Sequence, residues 1–185
     1  WCFIIDPIDG TANFAHDYRH SCISVALVKD DTPVIGVVYN PYMDELFYAE
    51  KGSGAFLNGL PIQVSGLPLS DSIIAFGTSP YDLEYKRDTF ALAEKVFDKS
   101  LDIRRTGSAA LDLCYTACGR VDGFFELILR PWDFAAGSVI LTEAGGVITT
   151  MDGDPIAQKK DSSICAATPA AHAELLELYK AHKEG

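Results

Sequence analysis

Three apolar runs, CISVALV (22–28), PVIGVVYN (33–40) and ELFYAE (45–50), follow one another with only four residues between neighbours. They are rich in Val, Ile, Tyr and Phe, the residues that suit a half-buried pleated surface. A link as short as the turn KDDT can only reverse the chain, because parallel neighbours need a crossover of a dozen or more residues. The three runs therefore predict an antiparallel meander. A further strand is predicted at 2–5, and KGSGAFLNGLP (51–61), with three glycines, reads as loop.

The rhythm then changes. SIIAFG (72–77) reads as a strand, 84–98 as an acidic helix, and 101–105 as a short strand. In TGSAALDLCYTACGR the residues Ala110, Leu113, Cys114, Ala117 and Cys118 share one helical face. VDGFFELI (121–128) is a strand. PWDFAAGSVILTEAGG puts Trp132, Ala135, Ala136, Val139 and Ile140 on one stripe and closes at Gly145-Gly146. GVITT and SSICAAT read as strands. The last helix starts with Thr168 as N-cap and Pro169 at N1. The fold class expected is mixed α/β: an antiparallel-rich first part (1–66) and an alternating second part (67–185).

At 185 residues and 48% apolar content the chain can bury a sizeable core. No apolar stretch is long enough to span a bilayer, and no signal-peptide pattern is present. Fifteen basic against 26 acidic residues, a net charge of −11, argue against direct nucleic-acid contact and against an anionic membrane surface. Phosphate can still be bound if metal ions or backbone N–H groups neutralise it locally. Five cysteines without a CxxC pair read as reduced thiols of a cytoplasmic protein. Cys114 and Cys118 have no histidine near them to complete a zinc site. Trp1 sits directly against strand-like residues, so the sequence is expected to be part of a longer protein.

The opening stretch WCFIIDPIDGTANF ends an apolar run in two carboxylates three residues apart, then Gly-Thr. Asp6 and Asp9, across a Pro-constrained turn, can point into one small volume together with the Ile8 carbonyl. Hard oxygens of this kind suit Mg²⁺. If a helical turn begins there, the N–H groups of Gly10 and Thr11 open toward an anion. The same residues also make an ordinary turn. An EF-hand needs ligands at every second residue with Gly at position six, and Gly10 is fifth. The haloacid-dehalogenase pattern sets its two aspartates two apart, against three here. A third carboxylate, Asp133 in RPWDFAAG, lies in the first turn of a predicted helix, where the dipole favours it. Ala135, Ala136 and Gly137 would let that helix approach another backbone closely. His16 and His20 read as loop or surface residues.

Taken together, WCFIIDPIDGTANF and RPWDFAAGSVILTEAGG, with KGSGAFLNG and RRTGSAALDLC between them in order, resemble the inositol monophosphatase family over essentially the whole chain. The resemblance implies a layered αβαβα sandwich. It implies that Asp6, the Ile8 carbonyl, Asp9 and Asp133 ligate Mg²⁺, two or three ions per site, and that Gly10 and Thr11 hold the phosphate. The Thr11 hydroxyl would orient water, and Gly107, Ser108 and Ala109 would touch substrate hydroxyls. Glu126, which alone reads as a strand-end surface residue, would bond a polyol ring, and Arg130 would stand beside the site. The activity implied is lithium-sensitive hydrolysis of a small phosphorylated polyol or sugar by a homodimer, without a covalent phosphoenzyme. Inositol 1-phosphate leads as substrate; fructose 1,6-bisphosphate, histidinol phosphate, a nucleotide 3′-phosphate or NADP are alternatives, as is a binding role in transcription antitermination. The family's Gly-Glu-Glu segment and an upstream aspartate precede DPIDGT and have no counterpart here. A protein that truly began at Trp1 would lack a metal ligand and is expected to show little activity.

Overall fold

The computed structural model describes residues 1–184. The first sheet is a continuous antiparallel meander whose spatial order follows the chain: β1 (Cys2–Asp9), β2 (Cys22–Lys29), β3 (Thr32–Asn40), β4 (Glu45–Glu50), β5 (Ala55–Leu57) and β6 (Leu60–Ile62). A short helix, α1 (Thr11–Ala15), lies between β1 and β2. The meander expected from the short links is thus present, and the loop-rich 51–61 segment adds two small strands to it.

The second sheet contains β7 (Ile73–Phe76), β8 (Asp102–Arg104), β9 (Gly123–Leu129), β10 (Val147–Thr149) and β11 (Ser162–Ala167), in the order β10-β11-β9-β7-β8. β7 runs parallel to β8 and β9, whereas β11 is antiparallel to β9 and β10. Four helices alternate with these strands: α2 (Lys86–Phe97), α3 (Ala109–Ala117), α4 (Pro131–Glu143) and α5 (Pro169–Lys183). The Thr168 hydroxyl accepts from the Ala171 N–H, which confirms the N-cap read from Thr-Pro.

The helices α3 and α4 are packed between the sheets, and α2 and α5 cover the far face of the second. β9 sits at the centre of this stack. Phe124 joins the core shared with the first sheet, and its neighbour Phe125 joins the core under α2 and α5. A strand covered on both faces is apolar throughout rather than alternating, as GFFELIL is. The order is sheet, helices, sheet, helices, so the described residues form four of the five layers that the family resemblance implies. The outer face of the first sheet is apolar, with Phe3, Ile5 and Ile23 exposed.

Helix α4 corrects one expectation. It is buried nearly all round, from Phe134 to Leu141, and Trp132 is 46% exposed rather than part of an inward stripe. A helix sandwiched between two sheets has no solvent side. Its small residues serve close approach: a Cβ built on Gly36 of β3 would lie 2.3 Å from the Ala136 carbonyl, and one on Gly137 would lie 2.7 Å from the Leu113 side chain. This seating carries the N-terminus of α4 to the end of β1.

Candidate active site

Asp6 and Asp9 are an odd number of residues apart, so in a regular strand their side chains would face opposite sides of the sheet. The strand is not regular there. It continues past residue 5 to Asp9, and the register slips: Asp6 pairs with Ser24, but Asp9 pairs with Cys22. Three steps on β1 thus oppose two on β2, and this bulge turns the second carboxylate to the same side as the first. The loop is braced internally. The Ile8 N–H donates to Asp6 Oδ1 (2.9 Å), and the Thr11 hydroxyl donates to the Ile8 carbonyl (2.9 Å).

Asp133 arrives from α4. Its carboxylate accepts the Arg130 N–H at 2.8 Å, so it caps its helix as expected while also facing the two aspartates. One carboxylate oxygen from each of Asp6, Asp9 and Asp133 lies within 4.8 Å of the others. Burial pushes all three carboxyls up, Asp9 to about 6 and Asp133 to about 7; the charge of Asp6 adds to the rise at Asp9, and those of Asp9 and Asp6 to the rise at Asp133. Among the described residues none of the three is paired with a Lys or Arg side chain. Three converging acidic oxygens without a cationic partner are a donor set that fits a hard divalent cation such as Mg²⁺. The Ile8 carbonyl, already accepting from Thr11, retains a second lone pair for the same purpose.

Gly10 is the N-cap of α1, with φ at +81°. A Cβ there would lie 2.9 Å from the His20 carbonyl and 3.3 Å from that of Gly107, so only glycine fits. The first turn of α1 leaves N–H groups without intrahelical partners, and Gly10, Thr11 and Ala12 line the cleft beside the carboxylates. Asn13, unremarked in the sequence, holds this turn in place: its amide donates to the carbonyls of His20 (2.8 Å) and Thr106 (2.9 Å). His16 is exposed. His20 is half-buried with its ring edge-on to Tyr115.

The cleft measures about 370 Å³, and Gly107, Ser108, Ala109, Glu126 and Arg130 all border it. Two of them differ from expectation. The Ser108 hydroxyl, fully buried, donates to Asp9 Oδ2, which also accepts the Ala110 N–H at 3.0 Å. Ser108 therefore positions Asp9 and caps α3, and its hydroxyl is not free for a ligand. Glu126 is no surface residue. It lies within β9, 6% exposed, and its Oε1 accepts from the Ser79 N–H (2.7 Å) and hydroxyl (3.0 Å). Burial lifts its carboxyl to about 7. Gly77 makes room for it, since a Cβ there would collide with the Glu126 carboxylate. Arg130 is clamped between Asp82 (3.0 Å) and Asp161 (2.5 Å).

Sequence reading passed over Ser79, Arg105 and Asp112, which also border the cleft. Asp112 is fully buried, and among the described residues the Thr106 hydroxyl is the one hydrogen-bond partner of its carboxylate (2.7 Å), so burial holds its carboxyl well above the usual range. Only its place on the buried face of α3, with Leu111 and Leu113 on either side, signals it.

A cluster of acids at the end of a strand, a glycine-capped helical turn and a polar cleft between two sheets are the features that the site presents on an α/β sandwich. The chain belongs to the inositol monophosphatase family, whose model matches residues 1–184. It is 42% identical over 179 residues to the inositol-1-monophosphatase of Synechocystis sp., covering 95% of this chain and 61% of that protein. It is 45% identical over 152 residues to the Nus factor SuhB of Escherichia coli K12, covering 82% and 57%. The solved structure of inositol monophosphatase from Anabaena (Nostoc) sp. PCC 7120 superimposes with a TM-score of 0.91 at 40% identity, covering 97% of this chain and 74% of that one. The chain thus spans about three fifths of the length of these two sequence relatives.

Proposed function

We propose that this chain carries the metal- and phosphate-binding centre of a Mg²⁺-dependent phosphate monoester hydrolase, with inositol 1-phosphate as the leading substrate. The observation that carries the reading is the convergence of Asp6, Asp9 and Asp133 within 4.8 Å, beside the first turn of α1 and facing the same cleft as Glu126. Asp6, Asp9, Asp133 and the Ile8 carbonyl would hold Mg²⁺. When bound, the metal supplies positive charge to the phosphate oxygens and lowers the pKa of water.

The chain's own groups do the rest. Backbone N–H groups at Gly10 and Thr11 receive phosphate oxygens. The Thr11 hydroxyl, resting on the Ile8 carbonyl, is placed to orient the attacking water. Glu126 accepts hydroxyls of the leaving alcohol, and the backbone of Gly107 to Ala109 borders the same side. In this reading water is the nucleophile and no protein nucleophile is needed, so it assigns no covalent phosphoenzyme. A polyol leaving group is favoured by the buried carboxylate acceptor; the alternatives are fructose 1,6-bisphosphate, histidinol phosphate, a nucleotide 3′-phosphate and NADP. A homodimer in the cytoplasm completes the proposal.

The test is Mg²⁺-dependent phosphate release by the full-length protein over these five esters, with Asp133→Asn alongside. An amide is a poor replacement for a carboxylate ligand, so the variant is expected to lose at least about a hundredfold in kcat/KM. Undiminished release by Asp133→Asn, or trapping of an aspartyl-phosphate during turnover, contradicts the assignment. A second reading rests on the 45% identity to a relative named as a Nus factor. It gives the chain a binding role in transcription antitermination besides hydrolysis, and it predicts a complex with RNA polymerase that survives Asp6→Asn.

A further inference from the structure

One wall of the cleft has no role in the reading above. It is formed by residues 77–82, which are tethered to three residues that border the cleft. Ser79 donates to Glu126, Asp82 accepts from Arg130, and the Thr78 hydroxyl oxygen accepts from Arg105 Nη2 at 3.0 Å. The first two tethers join groups of opposite charge or satisfy a buried carboxylate. The third does neither: it sets a full positive charge against a neutral hydroxyl.

Two arginines border the cleft, and they differ in what they hold. Arg130 is saturated by Asp82 and Asp161. Arg105 has no carboxylate within ion-pair distance among the described residues, and Thr78 is the one hydrogen-bond partner of its guanidinium. Its position is nonetheless built. The guanidinium lies over Gly107, where a Cβ would come within 2.5 Å of Nη1 and also meet the Asn13 amide, and the Gly107 φ of +94° excludes most side chains as well. Asn13 in turn anchors α1. Arg105 is therefore braced against the same turn that borders the phosphate side, with most of its five donors free and its surface exposed. A guanidinium fork matches phosphate or carboxylate oxygens in a bidentate way that hydroxyls do not.

We infer that Arg105 is a specificity-determining residue that holds a second anionic group on the leaving alcohol, at the mouth of the cleft and on the side of Glu126. The inference rests on the phosphate-ester reading of the site. It divides the labour of that wall: Glu126 accepts from neutral hydroxyls, and Arg105 donates to an anion carried by the same ring.

The test compares two esters of one ring, myo-inositol 1-phosphate and myo-inositol 1,4-bisphosphate. On the full-length protein, binding is measured by isothermal titration calorimetry with Ca²⁺ replacing Mg²⁺ so that the esters persist, and turnover is measured with Mg²⁺. Removing a charge-assisted bidentate contact is worth roughly ten- to a hundredfold. Arg105→Gln is expected to weaken the bisphosphate by that factor and the monophosphate by less than about threefold, with the loss in turnover falling on KM. Arg105→Lys, which keeps the charge but not the fork, is expected between the two, and it carries the test should the glutamine variant not fold. Equal weakening of both esters, no weakening of either, or no binding of the bisphosphate by the unaltered full-length protein overturns the inference. Preferential binding of the bisphosphate without Mg²⁺-dependent phosphate release instead overturns the hydrolase reading and leaves Arg105 as an anion-holding residue.

Discussion

The three-carboxylate centre makes the stability of the metal-free protein depend on pH in an unusual direction. Most acids in folded proteins are held below their ordinary pKa, so stability is lost on acidification. Here burial and mutual repulsion raise Asp9 from 3.8 to about 6 and Asp133 to about 7. The folded state then binds more protons than the unfolded one between about pH 4 and pH 7, so stability must fall as pH rises through that window. For the buried Asp9, about two pKa units correspond to about 3 kcal/mol. Above pH 7 a divalent cation reverses the effect, since a ligand at a hundredfold its Kd stabilises by about 2.7 kcal/mol. In a chain of this size each kcal/mol moves Tm by roughly 2–4 °C. Thermal unfolding followed by circular dichroism at about pH 5 and about pH 8, each with EDTA and with Mg²⁺, reads all four corners. The metal-free Tm is expected to drop by roughly 6–12 °C from the lower to the higher pH. Mg²⁺ should restore most of it at the higher pH and do little at the lower. Asp133→Asn should remove only the Asp133 share of the metal-free pH dependence, leaving the part that burial of Asp9 causes, and should weaken the Mg²⁺ response. A metal-free Tm that rises with pH, or a Mg²⁺ shift equal at both pH values, would refute the reasoning.

Other outcomes follow from the packing around the site. Gly36→Ala should destabilise the fold by at least about 1–3 kcal/mol in urea unfolding, because its Cβ meets the Ala136 backbone carbonyl, which cannot rotate away. Asp112→Asn should cost less in the same assay than Asp112→Leu, since an amide oxygen can still accept from the Thr106 hydroxyl, whereas leucine orphans it at a cost of about 1–3 kcal/mol. Glu143 accepts the N–H groups of Gly52 (2.8 Å) and Gly54 (2.9 Å). Glu143→Ala should therefore speed hydrogen exchange at residues 52–54 while leaving exchange in β9 unchanged.

Much of this molecule was legible before its coordinates. The short links of the first third allow nothing but antiparallel neighbours, Thr168-Pro169 marks a helix start, and Asp6, Asp9 and Asp133 stand out because acids at element ends are chemically specific wherever they fall. The strand and helix assignments of the second part hold with small shifts at their ends, as α2 shows by beginning at Lys86 after a 3₁₀ turn. Local pattern suffices for such features because they depend on neighbours within one or two turns of chain.

Tertiary structure decided the rest. Whether Asp6 and Asp9 face one way depends on a register slip against β2, and a slip belongs to the pair of strands, not to either one. Glu126 reads as a surface residue until β9 is placed at the centre of the stack and Ser79 is brought over its carboxylate. Ser108 looks free until Asp9, 99 positions away, takes its hydroxyl. Arg105 makes no ion pair among the described residues because Glu126 and Asp112, which feel its charge, stop short of ion-pair distance. In each case the deciding partner is distant in sequence, and periodicity, which reports only what a residue's own element does, carries no information about it.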